Sequence, residues 1–127
     1  MEEKQVLMWV AEQGGYPDFS SLYRALGYDV VKVQSVRKAL AELKRIDPQV
    51  VVAEFNYAPT YGTRISSVEP LLARLQSHHP MTRLLLFSEA ERIAHLDKLK
   101  ATYGELPVLT YPIQVGDLER FLSAGKH

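Results

Sequence analysis

Short apolar runs alternate five times with stretches of helical spacing along this chain of 127 residues. Three of the runs, at residues 5–10, 49–55 and 84–87, are nearly continuous in apolar side chains, as in strands that are buried on both faces. Two shorter runs lie at residues 30–33 and 107–110. Because alternating strands and helices favour parallel strands joined by right-handed crossovers, we predict a single α/β domain over residues 1–127. Its expected core is a doubly wound, five-stranded parallel sheet of order 2-1-3-4-5.

Capping residues and glycines mark the expected ends of several helices. Asp18 is the predicted N-cap of the first helix, and Gly27 follows directly after its last turn. Ser35 is the predicted N-cap of the second helix. Pro70 lies inside the apolar stripe of the third helix, and it fits there if Ser67 is the N-cap, because first-turn N–H groups have no intrahelical partner.

The composition excludes several classes of function. Fifteen Lys and Arg balance fifteen Asp and Glu, so the chain lacks the basic excess that is typical of direct nucleic-acid binding. No apolar run approaches the ~20 residues of a membrane-spanning helix, and the acidic start does not resemble a signal peptide. The absence of cysteine excludes disulfides, thiol catalysis and cysteine-based zinc sites. We therefore expect a cytoplasmic domain that binds neither nucleic acid nor membrane.

The two adjacent histidines, His78 and His79, are the only neighbouring pair of that residue type in the chain. They precede Pro80 at the end of the third helix. Adjacent side chains rarely converge on one ion, so a solvated loop is expected here rather than a metal site.

Doubly wound sheets bind their ligands beyond the carboxyl ends of the strands, close to the point where the strand order reverses. The segments expected at this edge are residues 10–16, 54–63, 88–91 and 111–114. They contain the side chains on which a functional prediction depends.

Three segments resemble one known family. Residues 48–54 (PQVVVAE), 84–90 (LLLFSEA) and 107–112 (PVLTYP) are similar to the third, fourth and fifth strands of the receiver domains of bacterial two-component response regulators. The similarity in strand spacing extends from the first strand to the fifth helix. It implies a flavodoxin-like (βα)5 fold and a place in bacterial signal transduction or transcriptional regulation.

The resemblance also implies a role for each strand end. Glu54 stands at the phosphoacceptor position, where the family normally has aspartate, and Ser88 stands at the switch Ser/Thr position. Val10 and Ala11 match the acidic pair of the family, and Tyr111 replaces its lysine. Four of these five positions therefore depart from the family pattern.

The departures remove the groups that phosphorylation requires. Phosphoryl transfer to a carboxylate depends on a divalent cation, and magnesium prefers carboxylate ligands. Val10 and Ala11 supply no side-chain oxygen, and the adjacent Glu12 is expected one step out of register. Tyr111 carries no positive charge. We therefore predict a degenerate receiver domain that is not an enzyme, with no catalytic residue, no metal and no cofactor.

Two interpretations of Glu54 remain open. Its carboxylate mimics a permanent aspartyl phosphate and accepts a hydrogen bond from Ser88, or it is a polar residue left after the site lost its function; the missing cation at Tyr111 favours the second. Val108 stands at the position where the family has its switch aromatic residue. The rearrangement that couples the switch hydroxyl to an aromatic ring in the family therefore has no ring to move here. The resemblance further implies a cis peptide bond before Pro112.

Four of the seven tyrosines fall on loops expected at the carboxyl edge, namely Tyr16, Tyr57, Tyr61 and Tyr111. Tyrosine offers a rigid amphipathic surface and is enriched at interfaces. One hypothesis is that these rings form a docking surface for a protein or a small ligand. The alternative is that they fill the space of the lost metal site.

We predict a phosphorylation-independent protein-interaction module whose partner is another protein or a second copy of the chain. Because the sequence contains no output domain, the chain is expected to act in trans or by self-association, unless it is one domain of a longer protein. In the resembled family the fourth helix, fifth strand and fifth helix commonly form the docking face. Here that face would include Ile93, Leu96, Lys100, Tyr103, Val108 and Leu118. The alternative is that most of its apolar residues belong to the core. The alternative function is a small-ligand sensor with a tyrosine-lined crevice.

Overall fold

The computed structural model describes residues 5–11, 16–55 and 68–124, and within these ranges five parallel strands form one sheet. The sheet has the order β2-β1-β3-β4-β5, so the predicted topology is confirmed. The strands are β1 (Gln5–Val10), β2 (Tyr28–Val33), β3 (Val50–Glu54), β4 (Arg83–Ser88) and β5 (Val108–Thr110). The edge strand β5 has only three residues, and the three central strands supply most of the buried sheet surface.

Helices cover both faces of the sheet. They are α1 (Ser20–Ala25), α2 (Val36–Glu42), α3 (Glu69–His78), α4 (Asp97–Tyr103) and α5 (Val115–Ala124). No helix among the described residues is long and apolar enough to cross a membrane.

The segment before α4 differs from the expected continuous α-helix, because Ala90–Leu96 is a 3₁₀ helix. Side chains three residues apart lie above one another in a 3₁₀ helix. Ile93 and Leu96 have this spacing, and Leu96 is fully buried. The tighter helix therefore places these two apolar side chains on one side, with Leu96 in the core and Ile93 partly exposed.

The strands divide their side chains between two hydrophobic clusters, as the alternation of a β-strand requires. Met8, Val51 and Leu86 belong to the cluster under α2, α3 and α4. Trp9 and Phe87 belong to the cluster under α1 and α5. Both faces of the central strands are thus buried, which explains their nearly continuous apolar runs.

The second helix begins as predicted, since the Ser35 side-chain oxygen accepts a hydrogen bond from the Lys38 backbone N–H at 3.0 Å. Gly27 follows the C-cap of α1 with a φ of 97°, a conformation that glycine adopts without steric cost. The predicted N-cap at Asp18 is wrong, because α1 begins one residue later, with Phe19 at the N-cap position. Asp18 instead accepts a hydrogen bond from the Ser20 N–H at 2.8 Å.

The third helix begins at Glu69 with Val68 at the N-cap position, not Ser67, which lies outside the described residues. Pro70 is nevertheless in the first turn, as expected. Its missing N–H therefore removes no intrahelical hydrogen bond.

Candidate functional site

The carboxyl ends of the central strands meet at one edge of the sheet. The strand register pairs Val10 with Ala53 and Glu54 with Phe87, and Ser88 is the last residue of β4. The residues that the sequence singled out on β1, β3 and β4 therefore lie beside one another. We call this edge the carboxyl edge.

The first strand brings no acidic side chain from the described residues to the carboxyl edge. Val10 is 1% exposed and belongs to the core. Ala11 is partly buried, and its N–H donates to the Val33 carbonyl at 2.9 Å. The adjacent Glu12 lies outside the described residues.

Glu54 and Ser88 are both buried at this edge. Glu54 is 4% exposed, so its carboxylate does not extend into solvent. Ser88 is fully buried, and its hydroxyl donates to the backbone carbonyl of Glu89 at 3.0 Å. Because a hydroxyl has one proton, this bond takes the place of the donation from Ser88 to Glu54 that one interpretation requires.

Tyr111 occupies the position of the family lysine and is 51% exposed. Its backbone N–H donates to the Ser88 carbonyl at 2.9 Å, which holds the end of β5 against β4. The peptide bond between Tyr111 and Pro112 is cis, as the resemblance implied. Val108, at the position of the switch aromatic, is partly buried and packs against the cluster under α2, α3 and α4.

Aromatic rings from three segments meet at the carboxyl edge. The Tyr16 ring contacts Phe87 with a centroid distance of 5.5 Å and Tyr111 edge to face at 5.7 Å. Phe19 packs edge to face on Phe87 at 6.0 Å. Two of the four predicted tyrosines are therefore brought together, whereas Tyr57 and Tyr61 lie outside the described residues.

Sequence reasoning missed the part that Phe87 and Phe19 play in this cluster. The sequence pattern identifies each of them only as an apolar residue of its strand or helix. The useful signal is that Phe87 directly precedes Ser88 at a strand end, where a large ring reaches the loops beyond the sheet.

The described residues do not fit the magnesium ion that the resemblance implies. Within residues 5–11, 16–55 and 68–124, no three His, Cys, Asp or Glu side chains lie close enough together to hold a metal ion. Glu54 is the one carboxylate that β1 and β3 bring to the edge in this part of the chain.

Two residues of the expected docking face on α4, β5 and α5 are core residues. Leu96 and Leu118 are fully buried, so their inclusion in that face is wrong. Both side chains lie on the inner faces of their helices, where they pack against the two hydrophobic clusters. Ile93, Lys100, Tyr103 and Val108 are partly exposed.

Comparisons with protein-family models and with curated proteins found no match to this sequence. Solved structures do match. The chemotaxis response regulator CheY4 of Vibrio cholerae superposes with a TM-score of 0.70 at 21% identity, covering 97% of this chain and 98% of that one. The signal receiver domain of an HD domain-containing protein from Pseudomonas fluorescens superposes with a TM-score of 0.69 at 19% identity. The match covers 96% of this chain and 94% of that one.

This chain has the receiver-domain fold. A structure of adenylate cyclase from Rhodopirellula baltica also matches the receiver fold of this chain, with a TM-score of 0.69 at 18% identity and coverage of 98% and 87%. The predicted receiver resemblance is thus confirmed at the level of fold, and the loss of phosphorylation stays a prediction.

Proposed function

We propose that this chain is an interaction module of bacterial signal transduction that uses the receiver fold without phosphorylation of Glu54. The observation that carries the proposal is the chemistry of the carboxyl edge. Val10 and Ala11 bring no carboxylate there, and Tyr111 brings no cation. A phosphoryl group on Glu54 would lack both the metal ligands and the positive charge that stabilise its transfer.

The surface proposed to bind a partner is the tyrosine patch, which we define as Tyr16 and Tyr111. Tyr111 is 51% exposed, although its side chain is large and mostly apolar. Tyr16 supports Tyr111 from the side and is itself fixed on Phe87. A rigid, partly exposed ring of this kind is typical of an interface anchor.

The two tyrosines of this patch differ in exposure, and each fits one of the two hypotheses about the tyrosines. Tyr16 is partly buried against Phe87, as expected of a ring that fills space. Tyr111 directs half of its surface to solvent, as expected of a docking residue. The proposed partner is another protein or a second copy of this chain.

Incubation with acetyl phosphate and magnesium is expected to leave the protein unmodified, because the cation ligands and the lysine are missing. Intact-mass spectrometry measures the outcome directly. Glu54→Asp is a matched variant, and it is also expected to remain unmodified, since it restores only the acceptor. A phosphoryl adduct on the natural chain that disappears in Glu54→Gln would refute the proposal.

Replacing Tyr111 with alanine is expected to weaken partner binding at least tenfold, which corresponds to about 1.4 kcal/mol for the loss of one anchor ring. The partner is captured from the native host on the immobilised chain, and its affinity for both variants is then measured by calorimetry. Sedimentation velocity supplies the same comparison if the partner is a second copy.

Met81→Ala is the matched control for this experiment, because Met81 is 88% exposed and lies before β4, at the opposite edge of the sheet. Its removal is expected to leave binding unchanged. Weaker binding of Met81→Ala together with normal binding of Tyr111→Ala would place the interface away from the tyrosine patch.

The same binding assay separates the two interpretations of Glu54. Glu54→Gln removes the charge but keeps the size of a side chain that is 4% exposed. A mimic of phosphate predicts weaker binding in a folded protein, whereas a residue without function predicts unchanged binding. The burial of Glu54 and the bond from Ser88 to the Glu89 carbonyl favour the second result.

A small-ligand sensor is the second candidate function, and the edge-to-face pair of Tyr16 and Tyr111 favours it, because a flat ligand ring can stack there. A thermal-shift screen with nucleotides, flavins and signalling metabolites tests this candidate. Stabilisation that is lost in Tyr111→Ala would support it, and no stabilisation by any compound would remove it.

A further inference from the structure

A cavity of about 460 Å³ opens at the amino-terminal edge of the sheet, opposite Glu54 and Ser88. Its walls come from the end of α3, the starts of β4 and β5, and α5. Leu72, Leu75, Leu106 and Phe121 supply an apolar lining. The volume lies within the range of about 300–1,000 Å³ that is usual for small-molecule sites.

One wall of the cavity carries His79. This residue is 7% exposed at the C-cap of α3, so the expected solvated loop is wrong for His79. Its Nδ1 lies 2.7 Å from Asp47 Oδ1. An ionised carboxylate only accepts hydrogen bonds, so Nδ1 carries the proton and donates it. This bond orients the ring. Nε2 is buried, and the described residues offer it no hydrogen-bond partner.

Arg83, the first residue of β4, supplies a positive charge to the same cavity. Its guanidinium carbon lies 4.0 Å from the centroid of the Phe121 ring, so the group is held in place. Nη1 is buried and has no acceptor within the part of the chain that the structure describes. A guanidinium only donates hydrogen bonds, and its planar shape suits a carboxylate.

We propose that this cavity is a binding site for a small carboxylic acid that has an apolar body. The carboxylate binds the guanidinium of Arg83. The apolar body packs against the leucines and Phe121. Each part of the ligand is thus complementary to a group on the cavity wall. This proposal is independent of the tyrosine patch, which lies at the other edge of the sheet.

Titration with N-acetylphenylalanine, which carries a carboxylate and an apolar ring, tests the proposal by ¹H–¹⁵N NMR. Shifts are expected at the backbone amides of Thr82, Arg83, Leu106 and Phe121. The neutral analogue, N-acetylphenylalaninamide, is expected to bind at least tenfold more weakly, because it lacks the carboxylate.

Arg83→Met keeps a long apolar side chain next to Phe121 and is expected to reduce the affinity for the acid at least tenfold. If this variant does not fold, Gln76→Trp provides a second test, since Gln76 is an exposed helix residue on the cavity wall and an indole there blocks the opening. Arg45→Gln is the matched control; Arg45 is paired with Glu42 on the surface and is expected to have no effect.

Glu105 also lines the cavity, and the negative charge of its side chain disfavours a carboxylate ligand there. Glu105→Gln is therefore expected to bind the acid at least as tightly as the natural chain. Equal binding of acid and amide, full binding by Arg83→Met, or no shifts around the cavity would overturn the proposal. Shifts confined to Tyr16 and Tyr111 would overturn it as well and would support the ligand sensor at the carboxyl edge.

Discussion

Phe87→Ala is expected to lower the free energy of unfolding by about 3–5 kcal/mol, the usual cost of removing a buried aromatic ring. Phe87 is 1% exposed in the centre of the cluster under α1 and α5. Its ring also supports Tyr16 and Phe19. Urea unfolding followed by circular dichroism measures the change.

Phe87→Leu is the control for this result. It keeps most of the buried volume and is expected to cost less than about 1.5 kcal/mol. Tyr111→Ala is expected to change the stability by less than about 1 kcal/mol, because the side chain is half exposed. A loss below about 1 kcal/mol for Phe87→Ala would mean that this ring does not anchor the aromatic cluster.

Alkaline pH is expected to destabilise the natural chain more than its Tyr23→Phe variant. Tyr23 is fully buried, and this burial, with a smaller effect from the charge of Asp18, raises the pKa of its phenol well above the ordinary value of 10.0. In the unfolded chain the phenol ionises above pH 10, whereas in the folded chain it stays neutral. The contribution of Tyr23 is therefore complete below pH 10 and decreases as the pH rises.

The expected size of this effect is about 2–3 kcal/mol at pH 12, since each pH unit above the unfolded pKa contributes about 1.4 kcal/mol. The measurement is the difference in unfolding free energy between the two proteins from pH 8 to pH 12. Other ionisable groups, including the buried Tyr28, are present in both proteins and cancel in this difference.

At neutral pH the Tyr23→Phe variant is expected to be as stable as the natural chain, or more stable by up to about 1 kcal/mol. The Tyr23 hydroxyl is buried and has no hydrogen-bond partner among the described residues. A constant stability difference between pH 8 and pH 12 would contradict the burial of this phenol.

The strands and their order were predictable from local patterns. The run at residues 5–10 is β1 without a change of boundary, and Ser35 caps α2 as expected. The apolar run of a strand and the serine N-cap of a helix depend only on residues that are close in sequence. Both features can therefore be predicted from the sequence directly. The Asp18 cap is wrong by one position, because the Asp18 carboxylate accepts the Ser20 N–H in a turn that comes just before the first helical residue.

The carboxyl edge was predictable only in part. The positions of Val10, Ala11, Glu54, Ser88 and Tyr111 follow from strand ends and from the resemblance to receiver domains. The burial of Glu54 and the bond from Ser88 to Glu89 do not follow, because a strand end can turn its side chain inward or outward.

By itself, the sequence determined the alternation of strands and helices, and with it the doubly wound parallel sheet, because side-chain periodicity and the handedness of crossovers act at short range. Only the tertiary structure decided which rings meet at the carboxyl edge and which polar groups line the cavity at the opposite edge. His79 and Asp47 are 32 positions apart, and their contact depends on how two loops pack beside the sheet. Local patterns do not encode such contacts, since the free energy that selects them comes from the burial of the whole core.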